Sequence, residues 1–113
     1  MSRIPNPSHE DIFQSRAEAP KAAATAVHAV ADAVTALRQV AAQTSATPDE
    51  VIAAVGLFRS GQAAVEAALL ELIGVAVLGG ASISAAATAA GVRRETLGRR
   101  LAGTAAGKRG EAR

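Results

Sequence analysis

The chain has 113 residues, thirty of them alanine, with Phe13 and Phe58 its only aromatic residues and no cysteine. That length allows one compact domain, or a small domain with an appended helix; disulfides and thiolate metal sites are excluded, and strands are disfavoured, since they draw on aromatic and β-branched residues while alanine is the strongest helix former. The net charge of +2 hides an uneven split: residues 1–92 carry five Lys/Arg against eight Asp/Glu, a net of −3, and residues 93–113 carry seven against two, a net of +5, so the cationic end suits a polyanion such as nucleic acid or anionic lipid.

In chain order, residues 1–7 contain Arg3 and two prolines with no apolar run behind them. A secretory leader is not expected from them. They are expected to be disordered, and the chain to be cytoplasmic. Ser8 and Asp11 have capping-box spacing, which predicts a short helix over residues 9–18 that ends before Pro20. The next helix is expected over residues 21–43. Its apolar positions Ala23, Val27, Val30, Val34, Leu37 and Ala41 alternate spacings of four and three, a heptad seam. Because alanine buries little area, a second copy of the chain is expected to help cover this seam, with Val27, Val30, Val34 and Leu37 as the dimer interface.

Residues 43–47 form a polar break. Thr47, Pro48, Asp49 and Glu50 then combine an N-cap, a first-turn proline and acids at the positive helix end, the strongest start signal in the chain. This helix is expected to run to about Arg59, with Val51, Val55 and Phe58 on one face, and to end at Ser60-Gly61. Another helix is expected over residues 62–78, burying Val65, Leu69, Leu72, Ile73 and Ala76 and stopped by Gly79-Gly80. Residues 72–92 carry no charge and are long enough for a membrane span. The four glycines and the mainly alanine second half argue instead for two soluble helices that meet at the glycine pair. Residues 104–113 show no apolar period and are expected to be a flexible basic tail.

The stretch 82–101 reads Ser-Ile-Ser-Ala-Ala-Ala-Thr-Ala-Ala-Gly-Val-Arg-Arg-Glu-Thr-Leu-Gly-Arg-Arg-Leu. Two short helices that cross steeply need a small residue at their contact, a glycine in the turn and apolar anchors after it. Ala87, Gly91, Val92, Leu97 and Leu101 stand at those positions, and Ile83, Ala86 and Ala90 can line the inside of the first helix. Ala87-x-x-x-Gly91-Val92 followed by Thr96-Leu97 and a basic residue resembles the helix-turn-helix of serine recombinases of the resolvase and invertase type. The resemblance covers these twenty residues only. It implies a DNA-reading second helix, with Arg94, Glu95 and Arg99 toward base edges. Arg93, Thr96, Arg100 and Ser84 would reach phosphates, joined by Lys108 and Arg109 from the tail. Arginine can pair with guanine and glutamate can accept from cytosine, whereas phosphate contacts position rather than specify. The chain departs from the pattern at Arg93, where a capping serine is common, at Gly98, often a tyrosine, and in a first helix without Lys or Arg.

Other chemistry finds no constellation. His9 and His28 are the only histidines, and neither has a partner at metal spacing. No nucleophile has a base and an orienting group, and Gly79-Gly80 lacks the Lys-Ser/Thr of a phosphate loop. The expectation is an all-α, non-enzymatic helical bundle with a C-terminal helix-turn-helix and a long N-terminal helix used for dimerisation. Its parts would be a dimerisation segment at 1–46, a helical core at 47–103 and the basic tail. Double-stranded DNA and a second copy are the expected partners, with no membrane, metal, cofactor or small-molecule ligand, and the nucleoid is the expected location.

Overall fold

The computed structural model describes residues 7–111, residues 109–111 in backbone only. The expectations for residues 1–6, for 112–113 and for the Arg109 side chain lie outside the described residues. The described chain is all-helical, in the order α1 (His9–Ala41), α2 (Pro48–Leu78), α3 (Ile83–Ala90), α4 (Arg94–Ala102) and α5 (Ala105–Glu111). Its extents are 56 × 27 × 21 Å, because α1 and α2 form one long antiparallel pair.

Both capping boxes form. The Ser8 hydroxyl accepts from the Asp11 N–H at 3.0 Å and the Asp11 carboxylate accepts from the Ser8 N–H at 3.1 Å. Thr47 and Glu50 repeat the exchange at 3.1 and 2.9 Å. The helices they start are longer than the sequence predicts. Helix α1 does not end before Pro20 but runs through it for 33 residues. A proline inside a helix leaves a carbonyl without its donor. Here Pro20 and Arg16, whose carbonyl loses that donor, are both exposed residues, on a side of the helix open to water. The Ala-rich face behind them packs continuously on α2.

Helix α2 likewise runs through Ser60-Gly61 for 31 residues. Gly61 is an approach point, not a stop. A Cβ built there would lie 2.7 Å from both Cα and Cβ of Ala33 on α1. The seam between the long helices is built from small side chains. Ala26 and Ala33 of α1 face Ala54, Gly61, Ala68 and Val75 of α2, with all but Gly61 buried. The α2 positions repeat every seven residues, as expected for two long helices in contact.

This seam displaces the expected apolar stripes. On α2, Leu69 and Ala76 are exposed, and Val65, Leu72 and Ile73 are only half-buried. Val51 and Val55 are exposed and Phe58 is half-buried. The α1 stripe lies beside the seam rather than in it, with Val27 and Val30 exposed and Val34 and Leu37 half-buried. Small residues let two helices come close, and closeness leaves no room for Val or Leu between them.

The far end of the hairpin is tied more firmly. The Ser15 hydroxyl donates to the Val75 carbonyl at 2.9 Å, and half-buried Pro7 lies beside Gly80. Gly80, at φ 114°, turns the chain out of α2. The Gly80 N–H donates to the Val77 carbonyl and the Ala81 N–H to the Ala76 carbonyl, each at 3.0 Å, the paired bonds of a Schellman ending. Gly79 and Gly80 thus divide the uncharged stretch 72–92 into parts of two helices. By length and a mean hydropathy of 1.7 over 18 residues, α2 itself is apolar enough to cross a membrane, with 22% of that window buried.

Candidate nucleic-acid interface

Helix α3 starts at Ser82, whose hydroxyl accepts from the Ala85 N–H at 3.0 Å, and ends at Gly91, which sits in the left-handed region at φ 71°. The Val92 N–H reaches back to the Ala87 carbonyl at 3.1 Å and the Gly91 N–H to Thr88 at 3.2 Å. Only glycine holds this conformation without strain, so Gly91 sets the angle at which α4 leaves. Ala87 is buried at the bend, Leu97 is 1% exposed and Leu101 is 6% exposed. Together with Ile83 and Val77 they form one apolar cluster, against which Leu70, Ile73, Ala86 and Val92 pack. Of the inner residues expected on α3, Ile83 is buried and Ala86 half-buried, but Ala90 is exposed. It is the last residue of α3.

This cluster fixes which face of α4 is free. With Leu97 and Leu101 inward, Glu95 and Arg99 stand on the opposite side, one turn apart. Arg93, Arg94, Glu95, Arg99 and Arg100 are exposed, and Thr96 and Gly98 are half-buried. Arg93 occupies the N-cap position and makes no side-chain cap bond. Ser84 is exposed in the first turn of α3. Thr88 spends its hydroxyl proton on the Ser84 carbonyl at 3.0 Å.

The expected flexible tail begins as a helix instead. Thr104 is 1% exposed and caps α5, its hydroxyl accepting from the Gly107 N–H at 3.0 Å. Ala106 is buried, and the Ala105 N–H donates to the Glu71 carboxylate of α2 at 3.3 Å. A buried cap and a buried alanine outweigh the glycines that argue against a helix here. Helix α5 therefore packs on α2 and α4, which brings exposed Lys108 to the same end of the molecule as the arginines.

The structure thus gathers Ser84, Arg93, Arg94, Glu95, Thr96, Arg99, Arg100 and Lys108 around the α3–α4 end. It keeps Val27, Val30, Val34 and Leu37 apart from them, along the hairpin. The sequence reading put Val51 and Val55 on one apolar face and Leu69 in a buried stripe but missed that all three are exposed, and it missed the Ser15 and Glu71 ties that anchor this end. The heptad repeat of Ala54, Gly61, Ala68 and Val75 was the signal available for the flank. Among the described residues no three His, Asp or Glu gather as a metal site. Compared with known protein families, with characterised proteins and with solved structures, the chain matches none.

Proposed function

We propose that the chain is a sequence-specific DNA-binding protein, a small transcriptional regulator of the bacterial, plasmid or phage kind that acts as a dimer at the nucleoid. In this reading α3 and α4 are a helix-turn-helix, the unit that resembles serine recombinases over residues 82–101, and α4 enters the major groove. Arg94, Glu95 and Arg99 read base edges. Arg93, Arg100, Thr96, Ser84 and Lys108 hold phosphates, joined by Arg109. The observation that carries the reading is the free face of α4. It presents Glu95 and Arg99 outward from a helix sealed to the core by Leu97 and Leu101, and arginines surround it.

The charge distribution supports the same face. The hairpin formed by α1 and α2 carries four Lys/Arg against eight Asp/Glu, a net of −4, and would be repelled by a phosphate backbone. The cations are left to α4, its cap and the residues beyond it, so the long-range field turns that end toward DNA. One such unit covers a few base pairs, and specific binding draws on two half-sites about one DNA turn apart.

The test is selection of enriched sites from random duplex DNA with the purified chain, across a salt series. An enriched palindrome, with affinity falling steeply as salt rises, is the expected outcome. Salt-dependent binding without an enriched motif would replace the specific regulator with a non-specific nucleoid protein. No binding at low salt would end the DNA reading and leave a helical protein-interaction module.

A further inference from the structure

We infer that two copies of this chain dock through one flank of the α1–α2 hairpin to make a four-helix bundle, with both α3–α4 units at the same end. The bundle rests on the hairpin alone; only the direction of its two-fold axis rests on the DNA reading above.

The flank follows from helical periodicity. On α1, residues 27, 30, 34 and 37 lie about a quarter-turn from the seam residues Ala26 and Ala33. On α2, residues 51, 55, 58 and 69 lie about a quarter-turn from Ala54, Gly61 and Ala68 in the same rotational sense. Because the helices are antiparallel, equal rotations from the seam arrive on the same side of the plane that contains both axes. Two rows of large apolar side chains therefore form one surface. Val27 is 64% exposed, Val30 and Val55 47%, and Val51 and Leu69 40%. Val34, Leu37 and Phe58 of the same rows are half-buried. The opposite side of α1 carries Lys21, His28, Asp32 and Gln39, all exposed. Helix α1 is thus amphipathic sideways, apolar on one flank and polar on the other, while α2 also exposes Leu57 away from the flank.

The size of the surface selects its occupant. These side chains leave on the order of 500 Å² of apolar area per copy, near the top of what a monomer exposes. Two copies face to face remove about 1,000 Å² from these side chains alone, and the alanines between them bring the total into the range of stable dimers, roughly 1,200–2,000 Å². A bilayer fits less well. A hairpin in lipid must be apolar all round, and Lys21, Asp32, Glu66 and Glu71 are exposed along this one. An anionic membrane surface repels its net charge of −4. With the two-fold axis parallel to the hairpin, every neighbouring pair of helices in the bundle is antiparallel, and both recognition helices arrive on one side, as two half-sites require.

The test uses the full chain without DNA or detergent. Sedimentation at tens of micromolar is expected to show a dimer. The double variant Val27→Glu/Val55→Glu places exposed carboxylates in the interface without touching the seam. It should raise the dimer dissociation constant at least ~100-fold while far-UV circular dichroism stays helical. Leu57→Glu, at a residue 62% exposed on the other side of α2, should remain dimeric. Because the chain has no cysteine, a spin label at Ser45→Cys, on the exposed loop between α1 and α2, reports the axis directly. Paired loops should be close. A separation comparable to the 56 Å molecule would overturn the shared end. A monomeric parent, equal dissociation by Leu57→Glu, or flotation of the chain with vesicles would overturn the bundle. A dimer that binds no DNA keeps the bundle and removes the regulator, and a monomer that binds a half-site does the reverse.

Discussion

Two glycines of α2 are expected to respond in opposite directions to the same substitution. Both Gly56 and Gly61 lie inside a continuous helix, where alanine is favoured over glycine by about 1 kcal/mol. At Gly56 an added Cβ meets nothing within 4 Å, so Gly56→Ala should stabilise by about that amount and raise Tm by about 4 °C. At Gly61 the Cβ would stand 2.7 Å from Ala33 Cα and Cβ, about 1 Å inside an ordinary carbon contact. The neighbour is backbone, so the helices must separate, and every small pair along the seam loses contact. Overpacking of this kind costs about 1–3 kcal/mol, which exceeds the propensity gain, and Gly61→Ala should come out destabilised by about 1 kcal/mol. Trimming the facing residue with Ala33→Gly should not restore it, since Ala33 Cα lies as close as its Cβ. Urea unfolding followed by circular dichroism, at one fixed protein concentration because dimerisation couples to stability, would measure all three. Stabilisation by both glycine substitutions would refute the close seam and, with it, the argument for why the larger residues stand outside.

On the proposed DNA face, Arg99→Ala should weaken specific binding by about 1–3 kcal/mol and relax preference at one base pair, read by repeating the site selection with the variant. A uniform loss across all sequences would instead make Arg99 a phosphate contact. Gly98→Ala should stabilise α4 by about 1 kcal/mol, because a Cβ there meets nothing within 4 Å. The same variant should bind DNA less tightly if the backbone at Gly98 approaches the duplex, and unchanged affinity would place Gly98 away from it. The Glu50 carboxyl is held below its ordinary pKa, first by the Thr47 backbone N–H and then by the Thr47 side chain. A depressed folded-state pKa gives stability that is present above the unfolded pKa and is lost as pH falls through the folded value. Parent and Glu50→Gln should therefore differ at neutral pH and converge in acid below the ordinary carboxylate range, and a constant difference in unfolding midpoint from pH 7 to pH 3 would contradict this.

The ends of the helices were more legible in the sequence than their continuity. Ser8 with Asp11, Thr47 with Glu50, Ser82, and the Gly80 and Gly91 turns work through bonds spanning a few residues, so local spacing specifies them. Pro20 and Gly61 read as breaks by the same local logic. Tertiary packing decides otherwise at each, since Pro20 faces water and Gly61 admits Ala33. Helix α5 was missed for a related reason: Thr104 is a local cap signal, but its force comes from burial against α2, which the tail sequence does not encode. The inward and outward faces of α4 followed from Leu97 and Leu101 alone. The buried faces of α1 and α2 did not, because a stripe of Val and Leu outranks a stripe of alanine in hydropathy and conceals the possibility that alanine forms the contact.

That inversion connects the fold to its proposed work. A seam of alanine and glycine joins two long helices at small expense in side-chain volume, but it removes little apolar area from water. The hairpin is left with a row of larger side chains from each helix on one flank, and among the described residues the cluster of large buried residues lies where α2 meets α3 and α4. The DNA-reading unit would thus stand on the best-packed part of the chain, with Ser15, Glu71 and Thr104 holding the surrounding helix ends together. The flank it leaves open faces sideways from the hairpin, clear of α4. In the proposed dimer, a chain built this way would gain its remaining stability from a second copy, and the same contact that covers the flank would set the distance between two recognition helices. Binding to DNA and stability should therefore respond together to interface substitutions such as Val27→Glu/Val55→Glu, whereas substitutions confined to the free face of α4 should change DNA binding alone.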